Sequence, residues 1–227
     1  LPKNLFKKKI ISVCFPTAPR LLRKLTSNYP KEFYYGTSEI KKIFNIEFVN
    51  SRASPSTVFL KLLLFFEKIY NRFTNFGIYK TRVLQNLKQK SRSDMIISFN
   101  DAYSINLGLF YPKKINQKTI GVFQGLSDFE NRIPFFFVSY FNKLLKKSLN
   151  SLDHCLFLGE ADLKNIKKKF NLTNNKISQF IFGIDEKFWT PNNNIKETID
   201  ILCVGSDLNR DYKILKHISS SVKIKLI

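Results

Sequence analysis

The chain has 227 residues, 44% of them apolar, which is enough for one large domain with a sizeable core and excludes a disordered or fibrous protein. Its 38 Lys and Arg against 17 Asp and Glu give a formal charge of +21, so the surface favours polyanions: nucleic acid, acidic lipid head groups or phosphorylated small molecules. The longest stretch without a charged residue, Ala102 to Pro112, is too short for a membrane-spanning helix.

The start is basic (Lys3, Lys7, Lys8, Lys9), and the apolar run behind it, Ile10 to Val13, is too short for a signal peptide. A cytoplasmic chain lacking its own start is expected. Residues 9–15 read as a buried strand stopped by Pro16, with Thr17 in the loop that follows. Strands are expected again over Lys31 to Gly36 and Ile46 to Val49. Between them lies a short helix, Thr37 to Phe44, opened by a cap at Thr37 or Ser38. Ser56 to Phe76 is a long amphipathic pattern rich in Leu and Phe. Asp94 to Phe99 and Thr119 to Phe123 are the next strands, followed by Asn100-Asp101 and Gln124-Gly125. Ser139 to Ser148 reads as a helix, Cys155 to Leu158 as a strand, Ala161 to Phe170 as a helix and Ile177 to Phe182 as a strand. In Gly183 to Pro191, glycine allows a turn, Asp185 would cap a short helix, Trp189 would fill a core gap and Pro191 would stop the helix.

Short apolar runs alternating with helical patterns are the signature of βαβ units on a parallel sheet, so the fold class is α/β. In such sheets the loops at the carboxyl ends of the strands line the ligand crevice. Thr17, Asn100, Asp101 and Gln124 are therefore the cleft candidates. The polar segment 192–198 reads as a linker, and 199–227 restarts the pattern: strand Ile199 to Val204, a loop from Gly205 to Arg210, helix Asp211 to Ser219 and strand Val222 to Ile227. Two strands and one helix cannot bury both faces of a parallel sheet, so further sequence is expected beyond this point.

Cys14, Cys155 and Cys203 each sit in an apolar run and are expected as buried free thiols. With His154 and His217 the only histidines, and His154 read as a core or edge residue, no metal site is expected. Asn171-Leu-Thr173 matches a glycosylation acceptor by chance.

The Gly183-Ile184-Asp185 turn with Trp189 and Pro191, the polar linker, and a strand ending Val204-Gly205 ahead of Arg210-Asp211-Tyr212 together resemble the interdomain crossover of GT-B glycosyltransferases, especially glycosyltransferase family 4. The upstream Leu158-Gly-Glu-Ala-Asp-Leu163, Phe170 and Lys176-Ile177 agree with the last helix and strand of that family's N-terminal domain. The resemblance implies a Rossmann-like acceptor domain over residues 1–191 and the opening of a nucleotide-sugar-binding domain over 199–227. It implies transfer of a sugar from a nucleotide-diphosphate sugar to a cell-envelope glycan or glycolipid, with no metal and no nucleic acid involved, the fragment being inactive alone. It assigns Gly205, Ser206 and Arg210 to the donor diphosphate, where a helix start favours anions. Family members commonly carry Arg at the position of Ser206, Lys near Asp211 and His at that of Gln124, so the chain departs from the pattern at all three.

Asp101, Gln124 and Glu160 are the candidates for catalysis, with Thr17, Asn100 and Gly125 for the acceptor. Gln124 positions rather than takes a proton. The structural alternatives are Asp101 capping a helix, Glu160 solvating a first turn, Gly205 making an ordinary turn and Arg210 lying in solvent. Val58 to Phe66 and Ile133 to Phe141 read as core helices with Lys143, Lys146 and Lys147 as a solvated face; the other reading is contact with an anionic membrane at the inner face of the cell. A non-catalytic scaffold of the same fold and a basic nucleic-acid-binding protein are the competing functions. The chain shows neither a basic stripe interleaved with aromatics nor a helix-turn-helix pattern.

Overall fold

The computed structural model describes residues 8–15, 30–50, 55–190, 198–204, 212–218 and 221–226. The chain divides into two compact units, Leu1–Asp185 and Glu186–Ile227.

The first unit is built on six strands: β1 (Ile10–Phe15), β2 (Asn45–Asn50), β3 (Met95–Ser98), β4 (Lys118–Phe123), β5 (His154–Phe157) and β6 (Ile177–Gln179). Their order is β2-β1-β3-β4-β5-β6 and every pairing is parallel. Parallel sheets are covered on both faces, which is why β1 reads Ile-Ile-Ser-Val-Cys-Phe and is buried from Ile11 onward. The helices are α1 (Thr37–Ile40), α2 (Val58–Thr74), α3 (Lys80–Leu84), α4 (Leu87–Lys90), α5 (Asp101–Phe110), α6 (Phe135–Ser151) and α7 (Glu160–Phe170). This is an α/β architecture with a Rossmann-like parallel sheet. Among the described residues no helix is long and apolar enough to cross a membrane.

One face of the sheet, with Cys14, Ile96, Phe123 and Phe157, packs against α5, α6 and α7 through Leu107, Phe141, Leu149 and Ile166. On the other face Val13, Phe15, Ile97 and Phe99 meet the partly buried Ile40, Phe44 and Phe48. α5 and α6 approach at backbone distance: a Cβ on Gly108 would lie 2.4 Å from the Ser148 carbonyl oxygen, so only glycine is accommodated there. Carboxylates tie the amino ends of the strands together. Asp94 accepts the Ile10 N–H at 2.8 Å and Asp153 the Thr119 N–H at 2.8 Å.

Several expected elements take a different form. Lys31–Tyr34 is a 3-10 helix rather than a strand, closed by Tyr35 and Gly36, both with positive φ (49° and 73°). That reversal cannot continue a strand, and it leaves Gly36, not Thr37 or Ser38, as the residue preceding α1. The Thr37 hydroxyl instead donates to the Tyr34 carbonyl at 2.6 Å. β6 stops at Gln179 because Phe180 and Phe182 leave the ladder for an aromatic cluster, their rings 6.5 Å from Phe99 and 5.4 Å from Tyr35. α6 is longer than expected, beginning directly after Pro134. Asp185 caps no helix of its own: its carboxylate accepts the Lys31 N–H at 3.1 Å, and its N–H donates to Glu32 at 3.0 Å.

The second unit contains β7 (Ile201–Cys203) paired parallel with β8 (Ile224–Leu226), and Tyr212–His217 as a 3-10 rather than an α-helix. Cys14 and Cys155 are buried free thiols; Cys203 is part-exposed, because a two-stranded sheet leaves its faces open. Trp189 is exposed with its ring edge-on to Phe188, 5.0 Å between centroids, so it fills no core gap. Pro191 lies outside the described residues.

Candidate functional site

From β1 the chain runs outward to β2 and returns to β3 on β1's other side. Open parallel sheets bind ligands at such a reversal, in the crevice beyond the carboxyl ends of the strands. Thr17, in the loop after β1, lies outside the described residues, as do Gly205, Ser206 and Arg210 of the second unit.

After β3 the backbone turns into α5. Asn100 is the capping residue, its side-chain oxygen accepting the Tyr103 N–H at 3.1 Å. Asp101 is therefore free of the capping role. It reaches sideways to the end of β4, where it accepts the Gln124 N–H at 2.7 Å, with the Gly125 N–H as a second donor. Burial pushes the Asp101 carboxyl up to about 6, against the pull of those two N–H groups; the neighbouring Asp162 carboxylate adds to the rise and Arg132 opposes it. The exposed Gln124 side chain donates to the Tyr35 hydroxyl at 3.0 Å. Tyr35 is held by its ring against Phe99, 4.7 Å away, and Phe99 stacks on Phe15 at 4.9 Å. The strand ends thus combine a mostly buried carboxyl, an amide and a phenol above an aromatic floor.

The fold brings Asn100, Asp101, Gln124 and Gly125 together. Glu160 is not part of this group: at the first turn of α7 its carboxylate pairs with Lys164 at 2.6 Å in an exposed i,i+4 bridge, and the hydrogen bond from Lys164 holds it below the usual carboxylate range. His154 stands at the opposite, amino end of β5, its ring nitrogen 2.7 Å from the Ser178 hydroxyl.

Two contributors to the site lie outside the sequence-level candidates, and a buried lysine lies apart from them. Tyr35 supplies the partner of Gln124. Asp162, buried on α7, accepts the Leu126 and Ser127 N–H groups at 3.0 and 2.7 Å and so fixes the segment that follows Gln124-Gly125. Lys90 is fully buried against the same face of the sheet; it donates to the Val83 carbonyl and to the Tyr103 hydroxyl (2.9 Å), and burial pushes its ammonium down to about 8. Tyr35 sits in a left-handed pair with Gly36, a turn signal the sequence carries. Nothing local marks Asp162 or Lys90, whose partners lie on other elements.

A carboxyl near 6 exchanges a proton close to neutral pH, and the amide and phenol offer hydrogen bonds to a hydroxylated ligand. Among the described residues no group of three or more His, Cys, Asp or Glu side chains is placed to hold a metal ion. No known family model matches the chain, and no curated protein matches it.

Proposed function

We propose that the chain belongs to a GT-B-type glycosyltransferase, residues 1–191 forming the acceptor-binding domain and 199–227 the opening of the nucleotide-sugar-binding domain. The observation that carries this reading is Asp101: a carboxyl raised to about 6, held beside Gln124 in the crevice of a parallel sheet. The Gly183-Ile184-Asp185, Trp189, Pro191 and Val204-Gly205 pattern supports it.

In this reading Gln124, Tyr35 and Asn100 orient a glycan or glycolipid hydroxyl, and Asp101 takes its proton. The acceptor oxygen bonds to the anomeric carbon of the donor. The bond from that carbon to the diphosphate breaks, and the nucleoside diphosphate leaves with the electron pair. The family resemblance assigns the donor diphosphate to Gly205, Ser206 and Arg210, which lie outside the described residues.

Calorimetric titration of the protein carrying its whole nucleotide-sugar-binding domain with uridine- and guanosine-diphosphate sugars tests the proposal. Binding of one nucleotide class is expected, weakened about tenfold by Arg210→Ala through loss of a charge-assisted hydrogen bond, and unchanged by Asp101→Asn. Absence of binding for every nucleotide sugar would overturn it.

A further inference from the structure

The helix α2 is inside out. Its only carboxylate, Glu67, is buried and accepts both the Thr81 N–H at 3.0 Å and the Thr81 hydroxyl at 2.5 Å. Asn71, also buried, exchanges hydrogen bonds with the Ile78 backbone, donating at 2.5 Å and accepting at 2.8 Å. These polar side chains fasten the helix to the segment leading into α3. At 3.6 residues per turn Val58, Phe59, Leu62, Phe66, Ile69 and Phe73 fall within an arc of about 100°, and all six face outward, Phe59 at 69%, Phe66 at 57% and Phe73 at 71% exposure. Lys61, Lys68 and Arg72 line one margin of that arc, all exposed.

The apolar face continues onto α6. Phe76 bridges the two helices, its ring 5.8 Å from Tyr70 and 5.9 Å from Tyr140. The outward arc of α6 begins with Phe135, 87% exposed, and Phe136, and goes on to Lys143, Lys146 and Lys147. α6 contains no Asp or Glu.

We propose that this surface docks on an anionic lipid bilayer, with α2 lying in the plane of the interface. Large apolar side chains along one face with cations beside them match the two zones of a bilayer surface, acyl boundary and head group. The absence of any outward carboxylate on α2 and α6, in a chain of charge +21, complements anionic head groups. A second copy is disfavoured by the same charge, since a two-fold contact would set these cations against themselves. Nucleic acid has no use for the Val, Leu and Ile of the face. The inference stands apart from the transferase reading, because it uses none of the residues at the strand ends.

Flotation of the 227-residue chain with vesicles of phosphatidylcholine alone, or containing about 30% phosphatidylglycerol, tests it. The anionic vesicles are expected to bind at least about tenfold more protein. Phe59→Ser with Phe66→Ser is expected to cut binding about tenfold or more, with the thermal unfolding curve unmoved because both rings are already exposed. Lys61→Glu with Lys68→Glu should abolish the preference for anionic vesicles. The proposal is overturned by wild-type chain that does not float, by the Phe59/Phe66 variant floating as well as wild type, or by sedimentation showing a dimer that those substitutions dissociate in the absence of vesicle binding.

Discussion

α2 and α5 are both rich in large apolar side chains, and the fold uses them in opposite ways. In α5 five consecutive residues, Tyr103 to Leu107, are buried, because the helix is enclosed by the sheet and by α6. Its polar members are absorbed into that packing: Ser104 lies 3.0 Å from the Ser98 hydroxyl, and Asn106 donates to the Gly77 carbonyl and accepts the Tyr79 N–H. Among the described residues, the side of α2 that meets protein is held by Glu67, Asn71 and Thr74. Apolar periodicity establishes that a helix has a face. Which face turns inward depends on where the polar side chains find partners.

The largest effect that sharpens this contrast comes from removing an enclosed ring. Phe141→Ala on α6, whose ring lies against Phe76 and Phe129, is expected to cost about 3–5 kcal/mol in denaturant unfolding. Next is the polar start of α5. The folded Asp101 carboxyl keeps its proton to about pH 6, whereas the unfolded chain releases it near 4, so the folded state binds more protons between those values and loses stability as pH rises through them. Asp101→Asn removes this dependence and is expected to be more stable than wild type above pH 6, by up to about 3 kcal/mol, with the gap closing by pH 4. Asn71→Leu makes the inner side of α2 more apolar, yet is expected to destabilise by about 1–3 kcal/mol, since the Ile78 N–H and carbonyl lose their partners. A stabilising Asn71→Leu would break the comparison. Smallest is Phe66→Ser on the outer side of α2, expected within about 0.5 kcal/mol of wild type in the same unfolding measurement.

The sequence-level reading reaches the alternation of strands and helices because buried parallel strands leave dense apolar runs ending in polar loops, as at Phe99-Asn100-Asp101 and Phe123-Gln124-Gly125. It places those four residues at one end of the sheet for the same reason. It misses the 3-10 turn at Lys31–Tyr34, where Lys-Glu-Phe-Tyr-Tyr-Gly passes for a strand; the carboxylate meeting that turn belongs to Asp185, far along the chain. It also favours core over membrane contact for Val58 to Phe66. The pattern of α2 is amphipathic in either orientation, and what turns it over is the pairing of Glu67 with Thr81 and of Asn71 with Ile78. Lys90 stays hidden because Lys88-Gln-Lys90 has the composition of a solvated surface, although Lys90 itself is buried beside Tyr103.

The account rests on a proton-exchanging carboxyl at the strand ends, and the most direct measurement is the titration of the Asp101 side chain followed by the carbon chemical shift of its carboxyl group. A midpoint near 6 is predicted, from burial and the neighbouring Asp162 carboxylate acting against the hydrogen bond from the Gln124 N–H. A midpoint at the ordinary aspartate value of about 4 would contradict it and leave Asp101 as a hydrogen-bond acceptor that joins β4 to the start of α5.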